Sequence, residues 1–100
     1  MKNFRTYDVA VKYYKLCIGV GLKGDARDQL SRAARSVALN LAEGRARATS
    51  KDQRKYFNIA MGSLRESQAV LDLESLKDSA AGRCADKLGA HLYKLIQNAQ

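Results

Sequence analysis

Leu30-Ser31-Arg32-Ala33-Ala34-Arg35-Ser36-Val37-Ala38-Leu39-Asn40-Leu41-Ala42-Glu43-Gly44 reads as one amphipathic helix. Leu30, Ala33, Val37 and Leu41 recur at three and four residues, the spacing that returns a side chain to the same side of a helix. Ala26 carries this stripe one turn back, and Ala34 and Ala38 widen it. Most of the other positions are polar or charged, so the apolar stripe requires a packing partner. Asp25 is placed as the N-cap, with Asp28 in the first turn where a carboxylate suits the helix dipole. Gly44 stands where helices end on a left-handed residue.

The same reading extends in both directions. Upstream, Phe4, Tyr7, Val11, Tyr14 and Ile18 predict a first helix from Phe4 to about Val20, with Ala10 and Cys17 beside the stripe. Gly19, Gly21 and Gly24 mark the turn that follows. Downstream, residues 45–49 form a short basic connection, and Ser50-Lys51-Asp52-Gln53 fits a capping box. A third helix then runs to Leu76, with Phe57, Ala60, Leu64, Ser67 or Gln68, and Leu71 inward, and Tyr56, Met61 and Val70 extending the face. Lys77-Asp78-Ser79 supplies a turn and a new cap. The fourth helix points Ala81, Cys84, Leu88, His91 or Leu92, and Leu95 at the core. Pro is absent, and no segment alternates with a period of two. Four helices joined by short loops must run up-down-up-down, so the expected fold is an all-α antiparallel four-helix bundle, one domain over residues 1–100.

Composition narrows the function. Eighteen Lys and Arg face ten Asp and Glu, a formal charge of +8, which draws a small domain toward polyanions such as RNA, DNA or acidic lipid. Cys17 and Cys84 belong to no CxxC pair and read as free thiols of a reducing, cytoplasmic setting. The start MKNFRTYDV lacks the apolar stretch of a signal peptide, and the longest apolar run, Leu16–Leu22, is too short to span a bilayer.

From Leu30 to Gly44, then through Arg47, Ser50, Lys51, Tyr56-Phe57, Ala60, Gly62-Ser63-Leu64 and Glu66, the chain resembles a bacterial four-helix-bundle family. Some members of that family are encoded by intervening sequences within large-subunit ribosomal RNA genes. The Trp usual in the family's first helix is missing. The resemblance implies a bundle that assembles into a homopentameric ring, with no known enzymatic activity. The family is distantly similar to the accessory protein of diversity-generating retroelements, a basic pentameric barrel that binds nucleic acid and a reverse transcriptase. That role is an analogy of fold alone.

Candidate site residues fall into two sets. Over residues 23–55 nine Lys and Arg face four Asp and Glu. Arg45, Arg47, Lys51, Arg54 and Lys55 surround one loop and the first turns of the third helix, where backbone amides add to the pull on phosphate. Repeated around a ring they form a cationic rim for RNA or other nucleic acid. The structural set is Arg32, Arg35, Ser36, Asn40, Glu43, Gly44, Gly62, Ser63 and Glu66. Ser36 and Asn40 share a helix face. Glu43, near a helix C-terminus, requires a cation from among Arg45, Arg47 and Arg54. Arg32 and Arg35 are placed to pair with acids across subunits. Gly62, mid-helix, costs roughly 1 kcal/mol against Ala, which close approach of another backbone would offset. One histidine, His91, seven residues after Cys84, lacks the further ligands of a zinc site, and no P-loop, GxGxxG or HExxH occurs. The expectation is a non-enzymatic, self-associating binding module with no cofactor. Its rival is a protein-interaction scaffold in which the charges serve subunit or protein-partner contacts.

Overall fold

The computed structural model describes residues 4–99, which form four helices: α1 (Arg5–Gly19), α2 (Gly24–Ala46), α3 (Ser50–Leu73) and α4 (Ala80–Asn98). Among the described residues there is no strand. The bundle is 39 Å long, close to the roughly 36 Å that a helix the length of α3 rises at 1.5 Å per residue. Helices α1 and α3 each pack against α2 and α4, with α2 and α3 most closely paired. The up-down-up-down order expected from the short loops is the one present.

One core runs the length of this square. Leu30, Val37 and Leu41 of α2 meet Leu64 and Leu71 of α3 and Leu88 and Leu92 of α4, all essentially without solvent contact. Tyr13 of α1 enters fully buried, and its hydroxyl meets Ser67 Oγ at 2.6 Å, while Ser67 donates to the Leu64 carbonyl at 2.7 Å. A buried tyrosine without such a partner would cost about 1–3 kcal/mol. This hydrogen bond crosses the bundle between helices that are not neighbours.

It also overturns the expected rotation of α1. The buried face is Thr6, Val9, Ala10, Tyr13 and Cys17; Tyr7, Val11 and Tyr14 are half-buried and Ile18 is exposed. Two apolar stripes overlap on α1, and the one with bulkier residues carries two tyrosine hydroxyls that reach water more readily at its edge. The narrower stripe goes inside because its single hydroxyl has a partner there.

Helix boundaries differ from expectation by a few residues. Lys23, not Asp25, precedes α2, and Asp25 lies inside the first turn, where it still favours the dipole. Gly44 does not end α2, which continues to Ala46. Its role is close approach, since a Cβ there would sit 2.7 Å from Phe57 Cε1 and 3.1 Å from Tyr56 Cβ. The α3 cap is Thr49, whose hydroxyl accepts from the Asp52 amide at 3.1 Å, so the cap falls one residue before Ser50. Gln53 Nε2 turns instead to the Arg47 carbonyl. Helix α3 ends at Leu73 rather than Leu76. Ser75 adopts φ 62° and the Leu76 amide returns to the Leu71 carbonyl at 2.7 Å, closing the helix with a Schellman-type turn. Ser79 caps α4 as expected, accepting from the Gly82 amide at 3.2 Å.

Two outcomes follow from this packing. A Cβ at Gly82 would lie 1.8 Å from the Lys77 carbonyl oxygen, which only backbone movement can relieve. Gly82→Ala is therefore expected to cost about 3 kcal/mol or more in urea denaturation. Burial pushes the Cys17 thiol from its ordinary 9.0 up to about 11. The unfolded thiol ionises first as pH rises, so stability that is complete below about pH 9 declines toward pH 11, by up to about 1.4 kcal/mol per pH unit. Cys17→Ala is expected to flatten that slope in denaturation curves taken across this window.

Candidate functional site

The N-termini of α1 and α3 and the C-termini of α2 and α4 share one end of the bundle. The 47–49 loop crosses it, held by Gly44 against Phe57, by the Thr49 cap, and by Gln53 bonded to the Arg47 carbonyl at 3.1 Å. All five of the expected cations lie here.

Their surroundings differ. Arg45 lies 5.0 Å over the Phe4 ring, at the mouth of a recess of about 340 Å³ also lined by Gln53, Phe57 and Leu95. Arg54 reaches across to α4 and donates to the Ala99 carbonyl at 2.9 Å. Arg47 pairs with Glu43, donates to the Tyr56 hydroxyl at 3.2 Å, and sits 4.9 Å over the Tyr56 ring. Lys55 lies 5.6 Å from the same ring. Lys51 is exposed on the first turn of α3. Glu43 thus finds its cation in Arg47, as its place near a helix C-terminus requires. Both partners are about half exposed, so the pair contributes less than about 1 kcal/mol.

Tyr56 is the site residue that sequence reasoning places elsewhere. The expected position is on the core face of α3; the observed one is half-buried, with Arg47 and Lys55 both against its ring. The available signal is its position beside Lys55, two residues after Arg54 and near a basic loop, where an aromatic ring offers a platform for cations and for unstacked bases.

The second set lies mostly along the α2/α3 seam. Ser36 Oγ and Ser63 Oγ meet at 2.8 Å, and Asn40 Nδ2 donates to the Ser36 carbonyl at 2.9 Å and to its hydroxyl at 3.1 Å. The serine pair joins the two helices, and Asn40 steadies it from the same face of α2. Gly62 departs from expectation within the bundle: it is exposed, and a Cβ there would meet nothing within 4 Å. Glu66 is exposed on the same helix. Arg32 and Arg35 are exposed beside Tyr14 and Asp28 along α1 and α2. They are not brought to the cationic end.

Among the described residues Glu43–Arg47 is the one ion pair, and no three His, Cys, Asp or Glu gather closely enough to hold a metal ion. Among the same residues no helix is long and apolar enough to cross a membrane.

A profile of the 23S rRNA-intervening sequence protein family matches residues 5–98. A crystal structure of a protein of unknown function from the S23 ribosomal protein family of Bacteroides thetaiotaomicron has the same fold, with a TM-score of 0.75 over 93% of this chain and 99% of that one at 16% identity. Among curated proteins none matches.

Proposed function

The chain belongs to the 23S rRNA-intervening sequence protein family, and on that footing we propose that it is a non-enzymatic, self-associating module whose cationic end engages RNA or another nucleic acid. The observation that carries this reading is the cluster of cations around the 47–49 loop and the first turns of α3. From Glu43 to Lys55 five cations face two carboxylates, and Glu43 is already taken by Arg47.

Arg45 and Arg54, tied to Phe4 and Ala99, brace the end of the bundle. Lys51 and Lys55, with Tyr56 between the Arg47 and Lys55 cations, are the groups offered to a ligand. Binding of this kind follows charge and shape rather than base identity. Self-association is supported by the α2/α3 outer face. By helical spacing Leu39 lies beside Ser36 and Glu43 on α2, and Ile59 lies beside Gly62 and Ser63 on α3. Leu39 is 57% and Ile59 43% exposed in the protomer. An open mid-helix glycine one turn from an exposed isoleucine suits a second backbone arriving there, and a homopentameric ring is the assembly the family resemblance favours. A scaffold reading draws on the three arginines already engaged within the protomer.

Labelled single-stranded RNA and duplex DNA, titrated at several salt concentrations, test the ligand. Binding is expected at low salt, and Lys51→Gln with Lys55→Gln should reduce the slope of log affinity against log salt by roughly 1.4 on single strands. Absence of binding at low salt leaves the scaffold reading in its place. Assembly is tested by sedimentation: the native chain should run larger than a protomer, and Leu39→Glu with Ile59→Glu should shift it toward monomer. A native chain that stays monomeric at micromolar concentration discards self-association.

A further inference from the structure

Helices α1 and α4 border a groove of about 320 Å³ on the side of the bundle, lined by Val9, Lys12, Leu16, Arg83, Cys84 and Lys87. No carboxylate lines it. The neighbouring positions continue the pattern. On α1, Arg5 lies seven residues before Lys12, and on α4, Lys94 lies seven after Lys87, so each falls on the same stripe of its helix. Arg83 to Lys94 spans roughly 16 Å of α4 at 1.5 Å per residue. Asp8, one turn before Lys12, and Asp86, beside Lys87, are the nearest acids in sequence; neither forms an ion pair with a groove cation, and Asp86 accepts from Gln68 on the α3 side.

Cations facing each other across a groove repel, and among the described residues no carboxylate pairs with any of them. Arg83 is in addition held in place, its Nη1 donating to the Asp78 carbonyl at 2.7 Å. The row is too long for one small anion and is linear. Its apolar floor, Val9, Leu16 and Cys84, is narrow and carries no aromatic residue, which leaves phosphate binding rather than base stacking as its chemistry.

We infer that the α1/α4 groove is a second nucleic-acid site, in which Lys12, Arg83 and Lys87 hold consecutive backbone phosphates of a strand that also engages the cationic end. This rests on the nucleic-acid reading above and adds a site to it. Arg5 and Lys94 lie on the same stripes on the side toward that end, with Asp8 between Arg5 and Lys12, so the path between the two sites carries two further cations and one acid.

Cys84 in the groove floor, 9% exposed, supplies the test. The full chain is labelled with a neutral maleimide, with and without saturating single-stranded RNA, and each thiol is quantified by peptide mass spectrometry. Cys17, more deeply buried, reports opening of the bundle and serves as the internal reference. RNA is expected to slow labelling of Cys84 relative to Cys17 in the native chain and in Lys51→Gln/Lys55→Gln brought to saturation. That effect should disappear in Lys12→Gln/Lys87→Gln. The same groove variant should reduce the salt slope on single-stranded RNA by roughly 1.4, at about 0.7 for each phosphate no longer neutralised. RNA binding that weakens in Lys51→Gln/Lys55→Gln, with Cys84 unprotected and the groove variant unchanged, overturns the groove assignment and leaves the end site standing. No RNA binding by the native chain removes both. Protection of Cys84 by polyglutamate but not by RNA reassigns the groove to an acidic protein and overturns the inference.

Discussion

The rotation of α1 is decided by a single hydroxyl. Tyr13 is fully buried and can be so because Ser67, across the bundle on α3, stands 2.6 Å away with its own proton directed to the Leu64 carbonyl. Turned to bury the bulkier stripe, roughly a third of a turn away, α1 would take that hydroxyl off its partner. Lys12 and Leu16 would then leave the α4 side. The same rotation buries Cys17 beside Tyr13, and burial raises the proton affinity of both groups. A packing constraint in the core thus selects which cations of α1 face α4 at the surface.

The cationic end depends on a different constraint, the close pairing of α2 and α3. Small residues make it possible: Ala34 and Ala60 are fully buried, and Gly44 admits the Phe57 ring where any side chain would collide. Because α2 and α3 approach so closely there, the short 47–49 loop joins them. A loop this short carries Arg47 directly above Tyr56. The aromatic–cation grouping at the end of the bundle is therefore a consequence of a glycine that touches neither group's charge. The Ser36–Ser63 and Asn40 bonds hold the same seam further along.

Much of the architecture is legible in periodicity, and the exceptions share a cause. The α2 and α4 faces can be read because each has one apolar stripe; α1 cannot, because it has two and only the partner of Tyr13 distinguishes them. That partner lies 54 residues away, beyond the reach of any local pattern. Gly44 reads as a terminator because glycine more often ends helices than admits a ring, and the ring it admits also comes from another helix. Thr49 and Ser50 are both competent caps; the backbone selects Thr49, and Gln53 then finds a carbonyl in the loop instead of the cap amide. The five cations of the cationic end are legible as a cluster in sequence. The α1/α4 row is not, because its members come from opposite ends of the chain and meet only when the bundle closes.

On the nucleic-acid reading proposed above, the two basic regions account for so few ion pairs among the described residues. A bundle of this size could neutralise surface cations by placing Glu four residues from Lys, at a gain of about 0.3–0.5 kcal/mol for each pair. Among the described residues such a pair closes once, at Glu43 and Arg47; Asp8 and Lys12, and Asp28 and Arg32, have the same spacing and form no ion pair. Elsewhere among these residues Lys51 and Lys55 at the cationic end, and Lys12, Arg83 and Lys87 in the α1/α4 groove, stand without a carboxylate partner. Such an arrangement forgoes local pairing energy and adds self-repulsion, so folding alone does not favour it. A polyanion laid against both regions reverses the sign of that repulsion. Each phosphate held also releases counterions, a gain that grows with every cation left free of an internal partner.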